Sequence, residues 1–248
     1  MASLQTEGLV KRYGALLVTD DVSLDVRSGE LHALIGPNGA GKTTLINQLS
    51  GELRPNAGRI RFDGQDVTAE PIHRRARSGL LRSYQITSIF EEFTVLENAA
   101  LAALGARQSA WGFWRPMLAD ARARAAAEQA VEAAGLTALA DTVAGELAYG
   151  QRRQLELAMV LAAEPKFLLL DEPMAGMSVQ ESAAVTALLQ GLKRRYTILL
   201  VEHDMDAVFA LADRISALVY GRVIFTGTPD EIRAHPEVRA VYLGEETV

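Results

Sequence analysis

The chain has 248 residues, 49% of them hydrophobic, with a formal net charge of −6 and no cysteine. That length supports one sizeable core, and the missing cysteines exclude disulfide staples and thiolate metal sites while fitting a reducing compartment. The acidic balance argues against a non-specific nucleic-acid binder, which normally carries a basic footprint.

The opening stretch MASLQTEGLVKRYG lacks the basic-then-apolar layout of a signal peptide. No apolar run approaches the roughly 20 residues needed to span a bilayer. The expectation is therefore a water-soluble chain whose membrane role, if any, needs a partner. Residues 30–36, ELHALIG, predict a short apolar strand running into a glycine-rich turn. GKTTLINQLSG then predicts a helix with Leu45, Ile46 and Leu49 on its apolar face and Gly51 at its end. In GRIRFDGQDV, Ile60 and Phe62 alternate with polar residues ahead of Asp63-Gly64, a hairpin signal. The run HRRARSGLLR gathers Arg74, Arg75, Arg77 and Arg82, which reads as a solvated helix face.

From about Thr94 to Gly135 the character changes. Thr94 and Glu97 form a capping box, and LENAALAAL and MLADARARAAAEQAVEAAG predict alanine-rich helices. Trp111, Phe113 and Trp114 crowd one part of an otherwise aromatic-poor chain, which fits packing within the insert as well as contact with a membrane partner. KFLLLD (166–171) and YTILLVE (196–202) are continuous apolar strands, as expected where both faces of a sheet are covered. Val185, Leu188, Leu189 and Leu192 between them follow helical spacing, as do Met205, Val208, Phe209 and Ala212 after the second. Strand–helix alternation of this kind predicts an α/β fold with a mainly parallel sheet, interrupted by an inserted helical subdomain.

Three motifs carry chemistry. GPNGAGKTT comprises Gly36, Pro37, Asn38, Gly39, Ala40, Gly41, Lys42, Thr43 and Thr44, and it matches G-x-x-x-x-G-K-[ST] between a strand and a helix. Its glycines let successive amides turn inward around phosphate oxygens, and the helix end adds positive potential. Lys42 would reach the β- and γ-phosphates, and the Thr43 hydroxyl would ligate Mg²⁺. In FLLLDEP an apolar strand delivers two adjacent carboxylates. Asp171 is directed at magnesium, and Glu172 stands where it could polarise an attacking water. In LLVEHD, His203 follows the strand expected to lie beside the phosphate-loop strand, within reach of a γ-phosphate.

These motifs, in this order, resemble the ATP-binding subunits of ABC transporters over nearly the whole chain. The resemblance implies a P-loop NTPase core, with an N-terminal antiparallel β subdomain, at about 1–86 and 163–248. The helical subdomain would occupy about 87–162. Tyr13 in KRYGA resembles the aromatic that stacks on adenine, Gln85 in RSYQ the loop that touches Mg²⁺ and senses the membrane subunit, and His203 the switch histidine. Leu147, Ala148, Tyr149, Gly150 and Gln151 resemble the signature segment, which in the family caps ATP bound to the opposing subunit. Its usual serine is replaced by Ala148, which cannot donate a hydrogen bond, but Gly150 and the helix-end dipole remain.

LAYGQ followed by a basic pair and LELA is similar to the variant signature of branched-chain amino acid importers, as are the short carboxy-terminal segment and the tryptophan-bearing insertion. DEPMAGMS, with Ser178 in place of an aspartate or asparagine, resembles urea and short-amide importer subunits equally well. The implied activity is MgATP hydrolysis coupled to solute import. The implied partners are transmembrane permease subunits, a second ATP-binding subunit (the same or a sister chain) and, indirectly, a periplasmic binding protein. No nucleic acid is expected, and the implied location is the inner face of the cell membrane. An exporter subunit, a soluble ABC ATPase acting on ribosomes or DNA, and a small P-loop kinase are the alternative readings. Ala148-Tyr149 weighs against the first, and the single phosphate loop with an acidic balance against the second. The kinase leaves Leu147–Gln151 ahead of FLLLDEP unexplained.

Overall fold

The computed structural model describes residues 1–83, 89–106 and 117–242. Their contacts fall into two compact units, one built from residues 1–80, 166–172 and 193–242, the other from the described residues of 81–165 and from 173–192.

The first unit opens with a long hairpin, β1 (Leu4–Tyr13) and β2 (Leu16–Val26), followed by the buried strand β3 (Leu31–Ile35) and helix α1 (Lys42–Ser50). Strands β4 (Ala57–Phe62) and β5 (Gln65–Asp66) form the hairpin signalled by Asp63-Gly64. Both turn residues take positive φ, 50° and 79°, as a two-residue hairpin loop requires. These four strands make an antiparallel sheet in the order β2-β1-β4-β5. Helix α2 (Ile72–Ser78) leads to β6 (Leu80–Ser83).

The second unit contains α3 (Val95–Ala106), α4 (Ala121–Ala133) and α5 (Tyr149–Ala162). The capping box at its start is formed: the Thr94 amide donates to Glu97 at 2.8 Å, and the Glu97 amide to the Thr94 hydroxyl at 3.1 Å. Asp120, not an earlier residue of the predicted stretch, caps α4, and Met117–Ala119 form a separate 3-10 turn. Alanines 99, 100, 103, 123, 127 and 130 are buried along α3 and α4, so small side chains let these helices approach closely.

The chain then supplies β7 (Phe167–Asp171), α6 (Val179–Leu192), β8 (Thr197–Val201), α7 (Met205–Leu211), β9 (Arg214–Val219) and β10 (Arg222–Gly227). Helices α8 (Pro229–Ala234) and α9 (Pro236–Tyr242) close the described chain. The main sheet runs β10-β9-β3-β8-β7-β6, with β3 parallel to both β8 and β9, β7 parallel to β8, and β10 antiparallel to its neighbour β9.

The core of the first unit explains this arrangement. Leu45, Ile46 and Leu49 of α1 are buried together with Leu4, Leu9, Val22, Leu24 and Ile60 of the antiparallel sheet and Leu34, Leu169, Leu199 and Val201 of the main sheet. The first helix is thus the layer between two sheets, and Phe62 of β4 meets Phe167 of β7 edge-on, 6.2 Å between ring centres.

Two arginines depart from the sequence reading, and Arg82 lies half-buried in strand β6 rather than on a helix face. Arg75 is not on a solvated face: it is 1% exposed, and its guanidinium donates to the carbonyls of Gln48 (2.7 Å), Leu49 (2.8 Å), Glu70 (3.0 Å) and Thr68 (3.1 Å). It latches the end of α1, whose last carbonyls have no partner inside the helix, to the loop before α2. Burial pushes its pKa down to about 10 against the pull of Glu70 and Asp66, which leaves it charged at neutral pH.

Candidate nucleotide-binding site

The phosphate loop leaves the carboxyl end of β3 at Gly36 and enters α1 at Lys42. Gly41 caps the helix with φ 104°, and a Cβ there would sit 2.6 Å from the carbonyl oxygen of Val18, so this position requires glycine on both counts. The loop's path is fixed by its own turn, Ala40 amide to Pro37 carbonyl at 3.1 Å. It is fixed again from outside by the turn between β9 and β10, where the Gly221 amide donates to the Ala40 carbonyl at 2.9 Å. The Gly221 carbonyl in turn accepts from the Asp20 amide of β2 at 2.8 Å, tying the loop to both sheets.

Asn38, Gly39 and Thr43 face solvent, Pro37 and Thr44 are half-buried, and Gly36, Ala40 and Gly41 are buried. The loop therefore offers backbone and the Thr43 hydroxyl outward while its hinges are packed. Lys42 is 8% exposed, and its ammonium folds back over the loop, donating to the carbonyls of Gly36 and, at 3.2 Å, Pro37. Burial pushes its pKa below 10.5, opposed by the charges of Glu172 and Asp171. A desolvated ammonium facing two carboxylates, at the end of a helix whose first amides are open, has the chemistry to suit a polyphosphate with a divalent ion.

The parallel register explains how the carboxylates arrive. Asp171 pairs with Val201 at the last rung of β7 and β8, and the Glu172 amide donates to the Val201 carbonyl at 2.9 Å. Glu172 itself takes φ 48°, a left-handed conformation that is strained for a residue with a Cβ and is held by the sheet behind it. Asp171 is buried and Glu172 half-buried. His203 follows β8, the immediate neighbour of β3 as expected. Its side chain is 63% exposed, with Nδ1 3.6 Å from the buried carboxylate of Glu202, which also accepts from the His203 amide at 3.0 Å. Tyr13 ends β1 with its ring 51% exposed and the Lys11 ammonium 5.5 Å from its centre, so one face remains available for a flat base. The first unit thus holds Tyr13, the phosphate loop, Asp171, Glu172 and His203. Gln85 and the aromatics Trp111, Phe113 and Trp114 lie outside the described residues.

The signature residues belong to the second unit. Ala148 is the N-cap of α5, Tyr149 and Gly150 open the helix, and Leu147 is buried beneath it. The Gln151 side chain accepts from the Ala148 amide at 3.0 Å, and the Tyr149 hydroxyl donates to the Ala175 carbonyl at 3.2 Å. Two features escaped the sequence reading. One is the Gly221 turn behind the phosphate loop, whose glycine lies far from the motif in the chain. The other is Glu181, three residues after Ser178. That Ser-x-x-Glu spacing signals a capping box, but nothing in it signals the contact its carboxylate makes with Gly150 at 3.1 Å.

A second polar cluster carries a misleading pattern. His32 Nδ1 lies 3.1 Å from Glu30 and Nε2 2.8 Å from the Ser216 hydroxyl, the connectivity of a nucleophile relay. Ser216 and His32 are fully buried and Ser216 is already bonded to Thr226 at 2.7 Å, so no substrate reaches them and the cluster joins β3 to β9 and β10.

Residues 19–175 match the ABC transporter family model. The chain belongs to the ABC transporter ATP-binding family. Residues 222–248 also match the model of the branched-chain amino acid ATP-binding cassette transporter. The chain is 39% identical to the high-affinity branched-chain amino acid transport ATP-binding protein BraF of Pseudomonas aeruginosa, over 98% of each chain. It is 36% identical to the lipopolysaccharide export system ATP-binding protein LptB of Haemophilus influenzae, over 99% of each. Its fold superposes on the ADP conformation of MJ1267, an ATP-binding cassette of an ABC transporter, with a TM-score of 0.87 and 31% identity, covering 98% of this chain and 99% of the other. The cassette is an ATP-binding and ATP-hydrolysing subunit. Among the described residues, no helix is long and apolar enough to cross a membrane.

Proposed function

We propose that this cassette drives import of branched-chain amino acids or closely related solutes by hydrolysing MgATP beneath a pair of permease subunits. The match of residues 222–248 to the branched-chain transporter model is the observation that carries the cargo class, with the BraF relationship beside it. In this reading the chain sits on the inner face of the membrane through those permeases. It meets a periplasmic binding protein only through them, and it engages no nucleic acid. Its organisation is a single ABC ATPase domain in which a nucleotide-binding core and a helical subdomain interleave along the chain.

Tyr13 stacks on the adenine, and the amides from Gly36 to Thr44 cradle the phosphates with the Lys42 ammonium on the β- and γ-groups. The Thr43 hydroxyl, the Asp171 carboxylate and the Gln85 amide would hold Mg²⁺. A hydroxyl and a carboxylate beside substrate phosphates suit this ion, which keeps part of its water shell. The ion neutralises charge on the phosphate oxygens when bound. Glu172 orients and deprotonates the attacking water, and His203 contacts the γ-phosphate. Leu147, Ala148, Tyr149, Gly150 and Gln151 of a second ATP-binding subunit close over the nucleotide, supplying amides and a helix end in place of a serine hydroxyl.

The 36% identity to an LptB protein favours a second reading, service in an exporter of lipid-like cargo. Purification from native membranes through a tag on this chain separates the two. Two permease subunits, together with loss of leucine uptake on deletion of the gene, are expected; partners that handle lipid, with leucine uptake intact, would overturn the importer reading.

A further inference from the structure

Glu181 sits in the first turn of α6, and its two carboxylate oxygens serve two helix ends. Oε2 accepts from the amide of Ser178 at 2.9 Å and from its hydroxyl at 2.7 Å, closing the start of α6. Oε1 accepts from the Gly150 amide at 3.1 Å, the second residue of α5. The first amides of a helix normally find a side-chain oxygen on the N-cap residue. For α5 that residue is Ala148, which has none, so a carboxylate from another helix performs the task.

The approach is tight. A Cβ on Gly150 would stand 2.5 Å from Oε1 and 2.9 Å from the carboxyl carbon. The Ser178 amide, then its hydroxyl, and lastly the Gly150 amide hold the Glu181 carboxyl below its ordinary value of 4.5, so it is an anion at neutral pH.

We propose that Glu181 is an autoinhibitory counter-anion: its carboxylate occupies the end of α5 that the opposing subunit's nucleotide must reach, and it must swing aside before the two subunits close. The proposal rests on the reading of Leu147–Gln151 as the segment that caps that nucleotide. A phosphate oxygen accepting from the Gly150 amide would take the place Oε1 now holds. Two anions cannot share one donor at contact distance without strong repulsion, and exclusion of water at a closed interface strengthens it. Glu181 also holds Ser178, so its displacement releases the start of α6 at the moment a phosphate docks on α5. Nucleotide arrival at one helix end is thereby communicated to the other.

The charge and the bridge can be separated. Glu181→Gln removes the charge and keeps an oxygen for Gly150, whereas Glu181→Ala removes both. The full-length chain, purified with the subunits that accompany it, is assayed for MgATP hydrolysis over a range of ATP concentrations, with a melting curve for each variant. Both variants are expected to lower the KM for ATP at least threefold. A merely structural cap would leave Glu181→Gln at the wild-type KM, and that result, or a raised KM, overturns the proposal even if Glu181→Ala fails to fold. Absence of MgATP turnover by the wild-type assembly would instead remove the reading of the signature segment on which the proposal stands.

Discussion

In the proposed mechanism, Glu172 is the residue on which turnover depends most directly. It follows a buried strand, its backbone is held at φ 48° by the bond to Val201, and its side chain is half-buried beside Lys42's charge. Replacing it with Gln keeps the shape and removes the base. Glu172→Gln should retain MgATP binding while steady-state phosphate release falls at least about 100-fold, within the range typical of a lost general base. Hydrolysis at the wild-type rate would mean that another group activates the water. The residue types of this site were legible because each motif sits on a run with a clear physical signature: a glycine-rich turn after an apolar strand, and two carboxylates ending another. The left-handed backbone of Glu172 was not legible, since only the neighbouring strand imposes it.

At the scale of elements, the antiparallel sheet, α1 and the main sheet form one packed stack, and Arg75 fastens its edge. Arg75→Ala would leave the carbonyls of Gln48, Leu49, Thr68 and Glu70 without their donor. It should destabilise the protein by about 3 kcal/mol, an order set by the cost of orphaned buried polar groups. A melting curve should show a drop of roughly 6–12 °C for a chain of this size; a change under 2 °C would contradict the latch.

Sequence reasoning took the arginine run for a solvated face because three arginines in four residues ordinarily are one. The burial of Arg75 arises from carbonyls that converge only after folding. The continuous apolar runs of β7 and β8 were legible for the opposite reason: their burial on both faces leaves no polar alternation.

The Glu30–His32–Ser216 chain gives this level a pH dependence. Burial raises the Glu30 carboxyl, but hydrogen bonds from His32 and the Arg27 amide, with the charges of His32 and Arg214, outweigh it and leave the pKa below 4.5. A carboxylate depressed in the folded state stabilises it above its unfolded value, and that contribution is lost as pH falls through the folded value. The wild-type melting temperature should therefore fall more steeply between about pH 5 and pH 3 than that of Glu30→Gln. Parallel curves would show that the cluster contributes nothing to acid stability.

The whole molecule is two units whose residues interleave along the chain, with 173–192 returning to the helical unit after the main sheet has received Asp171. That return puts Ser178 and Glu181 in the same unit as the signature helix, a relationship the linear order of motifs does not reveal. The strand–helix alternation did reveal the parallel sheet, and the alanine-rich middle did reveal a helical body. The link from Gly221 to the phosphate loop and the carboxylate beside Gly150 are tertiary contacts that reach those motifs from segments outside them. The proposed function depends at this scale on one grip, that of the loop around Lys42 on a nucleotide's phosphates. Equilibrium titration of the wild-type chain and of Lys42→Ala with MgATP tests it most directly. The account predicts saturable binding of one nucleotide per wild-type chain and at least tenfold weaker binding by Lys42→Ala, a loss of about 1.4 kcal/mol or more. A wild-type chain that does not respond to MgATP, or a Lys42→Ala chain that binds it equally well, would contradict it.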